Sequence, residues 1–118
     1  MNRNLKTILT VQGGYYFITG VWPLVSIGTF QAVTGPKNDL WLVRMVGLLA
    51  AVIGAELLLM ARSGRKQPEV LFLSLGSIGA FAAIDTVYSA LGVISPIYLA
   101  DAAVQAVMAL LVLWAWRQ

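Results

Sequence analysis

Residues 41–62 read "WLVRMVGLLAAVIGAELLLMAR", and the fold turns on whether this stretch lies in lipid or in a soluble core. Its length matches the roughly 20 residues that a helix needs to cross a bilayer core. Arg44 and Glu56 nevertheless sit inside it. The whole chain decides the matter. Of 118 residues, 59% are hydrophobic and 11% charged, against about 25% charged in an ordinary soluble domain. A chain this apolar, with a mean hydropathy of +0.82, has too little polar surface to face water. It reads as an integral membrane protein.

Three breaks divide the apolar sequence. "QAVTGPKNDL" (31–40) carries Gly35-Pro36 and then polar residues, and "SGRKQPE" (63–69) is a charged loop. In "LGVISP" (91–96), Gly92 can end one helix while Ser95-Pro96 caps and starts the next. Spans are therefore expected at about 7–30, 41–62, 70–91 and 96–116, each long enough to cross as a helix. Four apolar runs without period-two alternation exclude a sheet, whose unpaired edges cannot face lipid. The N-terminal run has a basic start but no convincing small-x-small cleavage site, and its apolar run continues past Phe30, so it is read as a retained first span. With no inter-domain linker and no repeat, the expected fold class is all-α: residues 1–118 form one integral-membrane four-helix bundle.

Charge gives direction. Arg3, Lys6, Arg62, Arg65, Lys66 and Arg117 fall on one side of this threading, and only Lys37 lies in a loop on the other. The positive-inside rule then puts both termini in the cytoplasm, as for a multi-pass protein of the cell inner membrane. Trp22, Trp41, Trp114 and Trp116 stand near span ends, as interfacial aromatics do. The net charge of +3 is accounted for by span-end residues and calls for no nucleic acid. Without Cys or His, disulfides, the usual zinc sites and the commonest haem ligand are out, while oxygen-ligated cations stay open. No cofactor or metal is expected.

The polar residues are stratified. At a helical rise of ~1.5 Å per residue, Arg44 lies about 5 Å inside the outer boundary, Asp85 about 9 Å and Asp101 about 8 Å. Three charges on three helices thus share one layer. Glu56 lies about 9 Å from the inner end, and Gln12 reaches a similar level. Polar stripes at three- and four-residue spacing face inward: Gln12, Tyr16, Thr19, Pro23 and Ser26; Phe81, Asp85 and Tyr88; Tyr98, Asp101, Gln105 and Met108. Small residues that would let helices approach are Gly47, Ala51 and Ala55, the pairs Gly76/Ala80 and Gly79/Ala83, and Ala102 with Ala106.

Arg44 therefore has two readings. In one it is a structural ion pair to Asp85 or Asp101; Asp39, at the outer mouth, could instead pair with it and free both buried carboxylates. In the other, two carboxylates sharing one arginine leave one to a proton, a cation or a polar ligand head. Tyr88 and Tyr98, with Arg44, Asp85 and Asp101, make up the candidate ligand site. Gln12, Glu56 and Tyr16 form a second polar cluster, in which Glu56 either snorkels to Arg62, Arg65 or Lys66 or bonds Gln12. Pro23 removes a backbone bond to the Thr19 carbonyl and should kink the first helix. No catalytic residue stands out. "TGPKND" lacks the glycine spacing of a phosphate loop.

"GGYYFITGVWPL" (13–24), "VTGPKND" (33–39) and "LVRMVGLLAAVIG" (42–54), with Arg44 three residues before Gly47, are similar to the DoxX-like group of small bacterial four-helix membrane proteins. The similarity is strongest over residues 12–58, and the last two helices match in number and length. It implies a four-helix bundle in a bacterial inner membrane and carries over no catalytic residue.

Three functions fit this sequence. The first is a membrane protein that binds or passes a small amphipathic or lipid-like molecule in the outer half of the bundle, with Arg44 anchoring an anionic head. The second is an accessory subunit of a larger membrane complex, or a homo-oligomer, packed through small-residue faces. The third is a lipid-modifying enzyme using intramembrane carboxylates as acid and base; the missing histidine weighs against it. Partners beyond membrane lipids follow from whichever holds.

Overall fold

A computed structural model describes all 118 residues and is entirely helical. Its elements are α1 (Arg3–Val25), α2 (Ile27–Thr34), α3 (Leu40–Ser63), α4 (Pro68–Ala90) and α5 (Tyr98–Trp116). Three of them, α3, α4 and α5, are long and apolar enough to cross a membrane, and α1 joins them only when taken together with α2. The expected helix ends hold to within a few residues. Gly64 closes α3 in the left-handed conformation, its N–H donating to the Met60 carbonyl at 3.1 Å. Gly92, also at positive φ, follows α4. Ser95 Oγ accepts from the Ile97 N–H at 3.3 Å, just ahead of α5.

The first span departs from expectation. A continuous helix over 7–30 is replaced by two helices, the second bent by 114° from the first. The break does not fall at Pro23, which stays inside α1, but at Ser26. Packing explains the difference: the Pro23 ring is buried against Gly47 of α3, where a β-carbon on that glycine would lie 2.9 Å from the prolyl Cγ. The corner just beyond is latched. Trp22 Nε1 donates to Thr29 Oγ1 at 2.9 Å, and the Trp22 indole meets the Phe30 ring edge-on at 5.3 Å. α2 therefore folds back across the end of the bundle instead of extending α1.

α1 packs on α3 along most of its length, α4 on α5, and α5 on α1, while α3 and α4 barely meet. The closest approach is glycine to glycine. Gly13 of α1 faces Gly54 of α3, and Gly20 faces Gly47; at each, an added β-carbon would run into the partner's backbone. Both pairs are spaced by seven residues, two turns, on antiparallel helices. By contrast, the expected small-residue contacts of Gly76 and Gly79 are absent: both are exposed with open space around them.

The termini and the 63–67 loop share one end. The Met1 ammonium donates to the Gly64 carbonyl at 2.9 Å, Asn2 Nδ2 to the Ala115 carbonyl at 2.8 Å, and Lys66 Nζ to the Trp116 carbonyl at 2.7 Å. The six basic residues assigned to one side thus cluster there, and Lys37 lies at the far end. Leu5, Leu9, Leu57, Val70, Val112 and Ala115 fill the terminal half with apolar packing.

Above that core lies one buried polar tie. Gln12, with no exposed surface, donates from Nε2 to the Ser74 carbonyl at 3.1 Å and accepts from Ser74 Oγ at 2.6 Å. It fastens α1 to α4, two helices with few other contacts. Gln12→Leu should lower stability by about 1–3 kcal/mol, because Ser74 keeps its polar atoms and loses their partner. Adding Ser74→Ala should recover part of that loss. Thermal unfolding of both variants in a mild detergent reads the coupling; a double variant as unstable as the sum of the singles would dissolve the tie.

Candidate functional site

The polar stripes of α1 and α5 meet above the Gln12–Ser74 layer. Tyr16, fully buried, donates its hydroxyl to Gln105 Oε1 at 2.6 Å. Gln105 Nε2 in turn reaches both Asp101 carboxylate oxygens at 3.5 Å, a weak contact. Tyr15 donates its hydroxyl to Asp101 Oδ1. Asp101 is thus a well-partnered acceptor. Phe81 of α4 packs edge-on against the Tyr16 ring at 5.1 Å and supports this side of the cluster.

Asp85 is the odd member. It faces Asp101 from α4, is 5% exposed, and no N–H or hydroxyl group of the protein reaches its buried Oδ2. A buried polar atom left unsatisfied costs about 1–3 kcal/mol. A buried acceptor of this kind is met in proteins by a proton shared with a facing carboxyl, by a water or by a bound group.

A cavity of about 770 Å³ opens in front of it, within the 300–1,000 Å³ usual for small-molecule sites. Its floor is Tyr16, Phe81, Asp85, Asp101 and Gln105. Its walls are Gly20 and Pro23 of α1, Val43, Val46 and Ala50 of α3, and Val104 of α5. The α2 corner and the 36–39 and 93–97 loops, with Trp22, Phe30 and Tyr98, form its mouth. The bent first span is what makes this space: α2 crosses over the bundle end instead of filling it. Lys37 sits at the mouth, over the Tyr98 ring at 5.1 Å and the Phe30 ring at 5.9 Å. Its ammonium is used up on the Thr34 carbonyl (3.0 Å), the Gly35 carbonyl (2.9 Å) and Thr34 Oγ1 (3.4 Å).

The structure brings together Asp85, Asp101, Tyr98 and Tyr16, and separates the other expected residues from them. Arg44 is exposed and does not line the cavity; the expected ion pair to Asp85 or Asp101 is replaced by the Tyr15 and Gln105 contacts. The reason is angular. Arg44 is about 100° around α3 from Val43 and about 160° from Val46, the residues that face the cavity. Depth had suggested a shared layer, and azimuth places Arg44 outside it. Tyr88 is 40% exposed, also off the lining. Glu56 is exposed, and Gln12 bonds Ser74 instead of Glu56.

Two further residues join the site, Tyr15 and Lys37. Tyr15 lies four residues before Thr19, whose hydroxyl donates to the Tyr15 carbonyl at 2.7 Å, so it belonged to the polar face all along. Lys37 carried no such signal, since only the folded loop sets it over the rings. No known protein family, curated protein or solved structure matches the chain.

Proposed function

We propose that this chain binds, or passes across the membrane, a small amphipathic molecule held in the cavity between α1, α3 and α5. The observation that carries the reading is the apolar-walled cavity of about 770 Å³ ending on the carboxyls of Asp85 and Asp101. Walls of this kind hold an apolar body, and the few polar groups on the floor orient its head. The anionic head expected from Arg44 loses its support, because that guanidinium lies outside the cavity.

In this reading α1 is the fourth span, crossing beside α3, α4 and α5. Its 23 residues give about 34 Å of helix, enough for a core of about 30 Å. The basic terminal end then faces the cytoplasm, and the cavity opens in the outer half of the inner membrane. The resemblance to DoxX-like proteins supports the same placement.

Native mass spectrometry of gently extracted protein is the direct test. Wild type should carry a small molecule that Val46→Trp, which fills the cavity from a partly exposed wall, does not retain. Wild type carrying only the same phospholipid as the filled variant would sink the reading. Arg44→Gln should leave both the retained mass and the melting temperature unchanged, within the ±0.5 kcal/mol usual for a surface substitution; loss of the ligand in this variant would restore Arg44 to the site.

A further inference from the structure

The deep half of the cavity has spent its hydrogen-bond donors and kept an acceptor. The Tyr15 hydroxyl goes to Asp101 and the Tyr16 hydroxyl to Gln105. The Thr19 hydroxyl goes to the Tyr15 carbonyl and the Gln105 amide to Asp101. What remains is the carboxyl of Asp85, a buried residue that lines the cavity and that none of these donors reaches. When ionised, the Asp85 carboxyl offers acceptors only, so an anionic or acceptor-only head would find nothing to bind there.

No cation of the protein answers the two facing carboxyls. Arg44 is outside, and all the contacts of the Lys37 ammonium are to groups at the mouth. The rings around the floor, Tyr15, Tyr16 and Phe81, offer the negative faces that attract cations. At the mouth the protein already holds one cation, Lys37, over two rings.

We propose that the cavity selects lipophilic organic cations, whose positive head sits between Asp85 and Asp101 while its apolar groups line the walls. This rests on the proposed ligand-binding reading and adds the charge of the ligand. An amine would donate its N–H to the Asp85 carboxylate; a quaternary onium ion would be held by charge and by the rings.

Tetraphenylphosphonium and tetraphenylborate have nearly the same shape and opposite charge, and they form the test pair. Equilibrium dialysis of the purified full chain in a neutral maltoside detergent, against protein-free micelles, measures saturable binding of each. The phosphonium should bind at least tenfold more tightly than the borate. Asp85→Asn and Asp101→Asn should each weaken it by roughly tenfold or more, the scale expected for removing a charge a few ångströms away at an intermediate dielectric.

Equal binding of the two ions overturns the charge selection and leaves the cavity reading standing. Saturable binding of neither overturns both. Phosphonium binding that survives both substitutions places the cation elsewhere and removes the proposal. If either variant is lost to misfolding, the wild-type comparison of the two ions still decides.

Discussion

Gly20→Val should unfold the bundle or split α1 from α3, lowering stability by about 3 kcal/mol or more, the upper end of what overpacking costs. At Gly20 a β-carbon would collide with the Gly47 carbonyl oxygen and come within 2.6 Å of the Ala51 nitrogen. Neither obstacle is a side chain that can swing away. Gly47 is the mirror case, with its β-carbon 2.5 Å from the Gly20 carbonyl oxygen. The same geometry recurs two turns below, where a β-carbon on Gly54 would lie 2.5 Å from the Gly13 carbonyl oxygen and 2.6 Å from the Phe17 nitrogen. Where lipid is the solvent, as the proposed placement has it, close backbone approach and van der Waals contact are the chief attraction between helices. Pushing α1 outward by one side chain forfeits that attraction along the whole contact, and it also lifts Pro23 from its seat on Gly47.

The control is built in. Gly76 and Gly79 lie within α4 with nothing nearby, so Gly76→Ala and Gly79→Ala should be neutral or stabilising by about 0.5–1 kcal/mol through helix propensity alone. Thermal unfolding and size-exclusion profiles in one detergent compare all three variants. A Gly20→Val protein that melts with wild type would show that the glycine contacts do not hold the pair.

These glycines mark where sequence reading stops. Helix ends were legible because each break is chemical: Gly64 and Gly92 at positive φ, and Ser95 ahead of α5. The common end of the six basic residues followed from counting, and Met1, Asn2 and Lys66 tie that end together. The stripes of α1 and α5 were legible from spacing, and they deliver Tyr16, Asp101 and Gln105 to one cluster. Pairing between helices was not. Seven-residue spacing of glycines occurs on both α1 and α3, yet it gains meaning only when the antiparallel register sets Gly13 on Gly54 and Gly20 on Gly47. Gly76 and Gly79 show the same residue type used for nothing of the kind. Arg44 failed for a related reason: depth depends on one helix, whereas the direction of a side chain matters only relative to neighbours. The corner at Ser26 needed the Trp22–Thr29 latch, which no local pattern announces.

Asp85→Leu should make the protein more stable and abolish cation binding. Asp85 has its Oδ2 buried with no protein partner, a penalty of about 1–3 kcal/mol that a leucine of similar reach removes. The neighbouring carboxyl should behave in the opposite way. Asp101 accepts the Tyr15 hydroxyl and the Gln105 amide, so Asp101→Leu strands two donors and should destabilise by a comparable amount. Two aspartates facing one another across the same floor thus carry opposite signs. The contrast separates a ligand site from an ordinary polar network, in which every member supports the fold. Evolved sites commonly retain groups that weaken the free protein because the ligand completes them. Melting curves of the two leucine variants, with and without tetraphenylphosphonium, read both effects. Wild type should gain stability with the ion as mass action requires, while Asp85→Leu should start higher and stay flat. An Asp85→Leu protein that melts below wild type would mean that this carboxyl holds the helices together, and the case for a waiting ligand would go with it.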